Sequence, residues 1–276
     1  MNRAWIVLAL MSAATIFGVT LAARNRIGQT QSANARPRPT SSAPVVVVEL
    51  FTSEGCSSCP PADQLLKKLS EEQPVHGAQV VALEEHVDYW NHLGWRDPFS
   101  AAEFSRRQEE YAGVFRNSGV YTPQMIVDGQ VEFTGSQGRK ALEAIEHSAG
   151  MPKVSVEVSP VAGDASSPST FDLRVSNTSG TAAGQRLELW LAVTEQGLHS
   201  DVKAGENSGE TLQHAAVVRT LQKVADVQGG KPLAKRVMPV VKKEWKREQL
   251  SLVAFVVAKD SRKIVGGAIT PFLTQD

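Results

Sequence analysis

The chain has 276 residues, a formal net charge of zero, 42% hydrophobic and 6% aromatic side chains. A neutral balance lacks the basic face that binds polyanions, which argues against a nucleic-acid partner. The length and ordinary composition fit a soluble body of one large or two modest domains.

Arg3 is followed by an apolar run from Ala4 to Ala23, broken only by small polar residues. Residues 1–23 read as a secretory signal cleaved after Ala22 or Ala23. The run is also long enough for an uncleaved membrane anchor over residues 4–23. Either way the body is secreted or periplasmic, with membrane contact confined to that segment. Export favours an oxidising compartment, where disulfides persist. Residues 24–43, rich in Ser, Arg, Gln, Asn and Pro, read as a disordered linker.

Val45 to Phe51 is a short apolar run and predicts a strand buried on both faces. Thr52 to Pro61 reads as loop. Ala62, Leu65, Leu66 and Leu69 then form one helical stripe. Val80 to Leu83 predicts a second buried strand, and the strand–helix–strand order predicts a right-handed parallel crossover. Ser100 with Glu103 matches a capping box for a helix reaching about Phe115. Asp128-Gly129 between Met125–Val127 and Gln130–Phe133 predicts a hairpin. A helix follows from about Ser136 to Ser148, with Leu142 and Ile145 inward. The order is β-α-β-α-β-β-α over residues 44–150. After Pro152 the texture alternates, as in Val154–Val158, Phe171–Val175 and Leu187–Val193, with further apolar runs at Leu250–Val257 and Ile264–Ile269. Residues 151–276 therefore read as a mostly antiparallel, sandwich-like β domain. Ala215 to Val224 reads as strand, and Lys242 to Glu248 as a solvated face.

Cys56 and Cys59 are the only cysteines, in the order Cys-Ser-Ser-Cys directly after the first strand. Such spacing lets one sulfur attack a foreign disulfide while the other resolves the mixed disulfide. An inert loop staple is the plainer alternative. Glu84, His86 and Asp88 share a face if the second strand continues that far. His86 or Asp88 is then a candidate proton relay, or a hydrogen-bonding group that orders the Tyr89–Trp95 loop. A helix N-terminus near the cysteines lowers a thiol pKa, and Glu54 opposes it if turned inward. Tyr89, Trp90 and Trp95 are candidates for a substrate groove or for packing. Cys56, Cys59 and His86 also form a soft donor set for copper or zinc. His76, His92, His199 and His214 read as surface or loop residues. The polar stretch Lys203–Gln213 reads as a solvated connection or a loop reaching toward the cysteines.

Four stretches carry a resemblance: Glu49–Asp63, His86–Pro98, Tyr121–Met125 and Gly205–Leu212. The layout resembles the thioredoxin superfamily, and the strings resemble a group of secreted bacterial proteins, domain-of-unknown-function family 1223. The resemblance implies an α/β thioredoxin-like domain over 44–150 ahead of the β-rich domain at 151–276. It implies a cis Thr122–Pro123 bond beside the cysteines, with Thr122 offering backbone groups to a bound peptide. It also implies that Cys56 is the exposed, attacking thiolate and Cys59 the resolver. Unlike ordinary thioredoxins, Pro60-Pro61 follow Cys59, so the helix starts near Pro61 and the cysteines lie in the approach loop. Together these readings point to an exported thiol–disulfide oxidoreductase acting on protein or small-thiol partners, without a cofactor. The alternatives are a copper or zinc module and an envelope scaffold, with peroxidase-like activity as a weaker third.

Overall fold

The computed structural model describes residues 43–161, 170–176 and 178–272. The 1–23 leader and the linker up to residue 42 lie outside them. Among the described residues no helix is long and apolar enough to cross a membrane.

Strand β1 (Val45–Thr52) is buried at every position, and all its side chains but Glu49 are apolar or β-branched. It runs parallel to β2 (Gln79–His86), with Val45 opposite Gln79 and Thr52 opposite His86. Both strands thus end at the same end of the sheet. Helix α1 (Pro60–Glu72) makes the crossover, burying Ala62, Leu66 and Leu69. It stops at Gln73, whose backbone is left-handed with φ 47°. The Gln73 amide donates to Ser70 O and Val80 O and accepts from Val80 N, tying the helix end to β2.

Helix α2 (Ala102–Phe115) follows a loop, then β3 (Gln124–Val127), β4 (Val131–Thr134) and α3 (Gly138–Ala149). The expected β-α-β-α-β-β-α order is present. β3 runs antiparallel to β1 with Phe51 opposite Gln124, so residues 122 and 123 arrive beside the end of β1. Asp128 and Gly129 both have positive φ, 46° and 61°, as a tight two-residue hairpin turn requires. Two details differ from expectation. No capping box forms at α2: the N-cap is Ala101, and Ser100 Oγ donates to Asp97 O instead. Leu142 is 36% exposed, leaving Ala141 and Ile145 as the buried apolar positions of α3.

The remaining strands are β5 (Ser155–Pro160), β6 (Phe171–Ser176), β7 (Arg186–Glu195), β8 (Leu198–Asp201), β9 (Thr211–His214), β10 (Val217–Gln228), β11 (Leu233–Val237), β12 (Leu250–Ala258) and β13 (Ile264–Pro271). A one-turn helix, α4 (Thr178–Thr181), follows β6. One sheet holds eight strands in the order β13-β12-β7-β10-β2-β1-β3-β4. It runs across the division at residue 150 because β10 joins β2 in parallel, Val217 opposite Glu84. That single bridge occupies the outer side of β2 at Glu84, whose N–H donates to Ala216 O. Successive residues of β1 face opposite sides. Val46 and Val48 pack with Leu66 and Ile145 of α1 and α3, whereas Val45 and Val47 pack with Phe104 of α2 and with Phe255. A second sheet, β11-β6-β5, packs Phe171, Leu173 and Val175 against Leu189, Leu191, Leu252 and Ala254 of the large sheet. Strands β8 and β9 form a separate hairpin. Within the mixed-charge 242–248 stretch Trp245 is buried, not solvated, under the guanidinium of Arg219 at 5.0 Å.

Candidate functional site

The loop leaving β1 folds tightly: Cys56 N donates to Ser53 O and Cys59 N to Cys56 O. Cys59 is the N-cap of α1, and its carbonyl accepts from Ala62 N and Asp63 N. Pro60 and Pro61 occupy the first turn, where a helix has no use for their missing N–H groups. The helix starts at Pro60, next to the expected Pro61. Cys56 and Cys59 form a disulfide with Cα atoms 5.4 Å apart. Ser58 Oγ lies 3.4 Å from Cys56 Sγ. Ser57 and Ser58 are exposed, but both cysteines are fully buried, contrary to the expectation of an exposed Cys56.

A remote strap, the β8–β9 loop over residues 202–210, is bonded to this loop. Asn207 Nδ2 donates to Glu54 O at 2.9 Å and to Cys56 O at 3.0 Å. Glu206 Oε2 accepts from Ser57 N at 3.0 Å and Ser57 Oγ at 2.7 Å. Gly205 has φ 78°, and a Cβ there would meet Trp95 Cβ at 3.2 Å. Trp95 Nε1 donates to Glu54 Oε2 at 2.7 Å. Trp90 packs against Gly55, and its Nε1 donates to Thr122 Oγ1 at 2.9 Å. The Thr122–Pro123 bond is cis. Pro123 is reached through Gly135, where a Cβ would strike Leu50, Ala62 and Pro123 together, so Pro123 stands close to the first turn of α1.

Behind the loop lies a buried ionic chain. His86 Nδ1 meets Asp97 Oδ2 at 2.7 Å, and its Nε2 faces Glu84 Oε1 at 3.4 Å without hydrogen-bond geometry. His214 bridges two carboxylates: Nδ1 to Glu84 Oε1 at 2.8 Å and Nε2 to Glu54 Oε1 at 3.0 Å. Glu84 Oε2 accepts from Ala215 N. Burial alone lowers the pKa of His214, but the Glu84 charge outweighs it and raises the group to about 9. Burial opposes ionisation of Glu84 too, and His214 overcomes it, holding the carboxyl at about 2. His86 is raised well above its ordinary value, the Asp97 charge overriding burial. Asp63, buried in the first turn of α1, is raised to about 7 by burial and then by Glu84, against a 2.6 Å hydrogen bond from Thr52 Oγ1.

The structure brings Cys56, Cys59, Glu54, Thr122 and Pro123 to one end of the sheet. His86 lies at the same end, but its ring nitrogens face Asp97 and Glu84. Strand β2 ends at His86, so Asp88 does not continue its face; the Asp88 carboxylate accepts from Ser105 Oγ of α2. Asp97 also accepts from Glu54 N and Phe99 N, so the His86–Asp97 pair orders the loop after β2. His76, His92 and His199 are exposed as expected, whereas His214 is 2% exposed at the centre of the ionic chain. His214, Asp97 and Asp63 are the residues that sequence reasoning missed. The signal within reach was the polar 203–213 stretch, whose second possibility, a loop reaching the cysteines, is what the geometry contains.

The model of the family described as Protein of unknown function (DUF1223) matches residues 47–257. The chain belongs to this family. A crystal structure of an Agrobacterium tumefaciens protein is 28% identical with a TM-score of 0.63, covering 84% of this chain and 96% of that one. HBP35 of Porphyromonas gingivalis is 16% identical with a TM-score of 0.54, covering 85% of this chain and 79% of its own, a likeness of fold alone. No curated protein matches the chain. The four stretches that carry the DUF1223 resemblance meet at the site: Asn207 with Glu54 and Cys56, Trp95 with Glu54 and Gly205, Trp90 with Thr122.

Proposed function

We propose that this DUF1223 protein is an exported, thioredoxin-like thiol–disulfide oxidoreductase acting on protein or small-thiol partners. The observation that carries the reading is the Cys56–Cys59 disulfide in the β1–α1 loop, with the cis Thr122–Pro123 bond beside the end of the same strand. Export rests on the apolar run over residues 4–23 and on the compartment a lasting disulfide favours.

In the oxidising direction a partner thiolate attacks Cys56 Sγ, the intramolecular S–S bond breaks, and Cys59 leaves as a thiolate. A second partner thiolate then attacks the partner sulfur of the mixed disulfide and expels Cys56. Two electrons pass from the partner dithiol to the pair, and the partner's two protons end on the cysteines. The reverse sequence reduces a partner disulfide. The positive end of α1 favours the departing Cys59 thiolate, and Ser58 Oγ is placed to donate to a Cys56 thiolate. Attack requires the buried Cys56 to be uncovered, and the 202–210 strap, bonded to the Cys56 carbonyl, is the segment whose lifting would expose it.

That burial also favours a second reading, an envelope scaffold in which the disulfide is an inert staple. Equilibration of the full chain in a glutathione redox series, scored by alkylation and mass, separates the two. The oxidoreductase gives a native-state reduction midpoint. A pair reduced only with denaturant leaves the scaffold.

A further inference from the structure

We propose that Glu84, His86 and His214 form a binding site for a divalent transition-metal ion of the zinc class. This donor set holds no thiolate and shares only His86 with the cysteine-centred metal alternative; the inference is independent of the redox reading.

The three side chains come from distant segments, Glu84 and His86 from the end of β2 and His214 from the end of β9. One ligand atom from each lies within 4.8 Å of the others. Metal-binding histidines almost always have their second ring nitrogen fixed by a carboxylate or carbonyl. Both histidines here do: His86 Nδ1 by Asp97 and His214 Nε2 by Glu54. The remaining nitrogens, His86 Nε2 and His214 Nδ1, converge on Glu84 Oε1 at 3.4 and 2.8 Å. Zinc–nitrogen and zinc–oxygen bonds of about 2.0–2.2 Å put tetrahedral neighbours about 3.3 Å apart, close to both distances to Glu84, so the movement required is chiefly the two imidazole nitrogens drawing together from within 4.8 Å.

His86 Nε2 is the second observation. It is fully buried and without a hydrogen-bond partner. An orphaned buried polar atom is costly and calls for an occupant. The charges agree. The carboxylates of Glu54, Glu84 and Asp97 surround the two imidazoles, an acidic surrounding that suits a dication. Imidazole donors select a transition metal over calcium or magnesium, which prefer oxygen. Three protein donors leave a coordination position for water. The ion would fasten β9, and with it the strap's downstream end, to β2.

The test uses the full chain, oxidised and freed of metal by chelator, then loaded with zinc and passed through gel filtration. One equivalent is expected to remain bound in the wild type and in the Cys56→Ser/Cys59→Ser double variant. His86→Gln and His214→Gln should each weaken binding at least about tenfold, and Asp97→Asn about 10–100-fold. Cobalt(II) in the same protein should show d–d bands without thiolate charge transfer. The zinc absorption edge should show imidazole scattering, a readout that stands even if a histidine variant fails to fold. The proposal falls if the folded wild type retains no zinc. It falls equally if folded His214→Gln binds at wild-type affinity, or if the metal spectrum reports sulfur ligands.

Discussion

Asn207→Ala isolates the strap. The amide donates two hydrogen bonds to backbone carbonyls of the cysteine loop and is only 6% exposed. A neutral hydrogen bond contributes about 0.5–1.5 kcal/mol net, so losing both costs about 1–3 kcal/mol, or about 5–150-fold in the strap's opening equilibrium. If a reductant reaches Cys56 only when the strap lifts, and reclosing is fast, the reduction rate scales with the open population. Reduction of the native disulfide by dithiothreitol should therefore accelerate by that factor, followed by quenched alkylation and mass. Urea unfolding of the same variant establishes that it is folded under the assay conditions. Glu206→Gln keeps its acceptor oxygen and serves as the solvent-exposed control, with a smaller acceleration. Folded Asn207→Ala that is reduced at the wild-type rate would refute the strap as the barrier.

Three further outcomes follow from the packing and the charges. Asp63 binds a proton in the folded protein up to about pH 7, but only up to about 3.8 when unfolded, so folding stability falls as pH rises through that window. Asp63→Asn keeps an acceptor for Thr52 and should flatten that dependence; urea midpoints from about pH 4 to pH 8 check it, and parallel profiles would contradict it. Arg107, 3% exposed, donates to Glu49 at 2.6 Å and lies 3.6 Å from Glu85. Arg107→Met should cost about 3–5 kcal/mol by stranding the Glu49 carboxylate, with part recovered in Arg107→Met/Glu49→Gln, as read by denaturant unfolding. Gly266→Ala places a Cβ 2.2 Å from Val154 O, where backbone must move, and should destabilise by about 1–3 kcal/mol in the same assay.

What was legible in the chain was local. The buried run of β1, the apolar stripe of α1 and the Asp128-Gly129 turn each carry their signature within a few residues, and each forms where the pattern puts it. The cis bond at Pro123 was legible only through resemblance, because trans and cis prolines share a sequence. The strap's reach to the cysteine loop was legible only as one of two readings of the polar 203–213 stretch, and the residue that makes the bond was not. Asn207 and Cys56 are 151 positions apart, and a buried amide on two backbone carbonyls looks in sequence like any polar loop residue. His214 failed for the same reason: its partners, Glu54 and Glu84, are 160 and 130 positions away. The joining of β10 to β2 was hidden too, since an apolar run does not say which strand it pairs with.

The central claim is that Cys56 exchanges disulfides with partners, and a trapped intermediate tests it most directly. In Cys59→Ser the resolving sulfur is gone, so attack by Cys56 should leave a reductant-sensitive covalent adduct with an exported protein or small thiol. The adduct should be absent from Cys56→Ser/Cys59→Ser. Folded Cys59→Ser that carries no such adduct in its native compartment, and forms none with a small disulfide in vitro, would contradict the account.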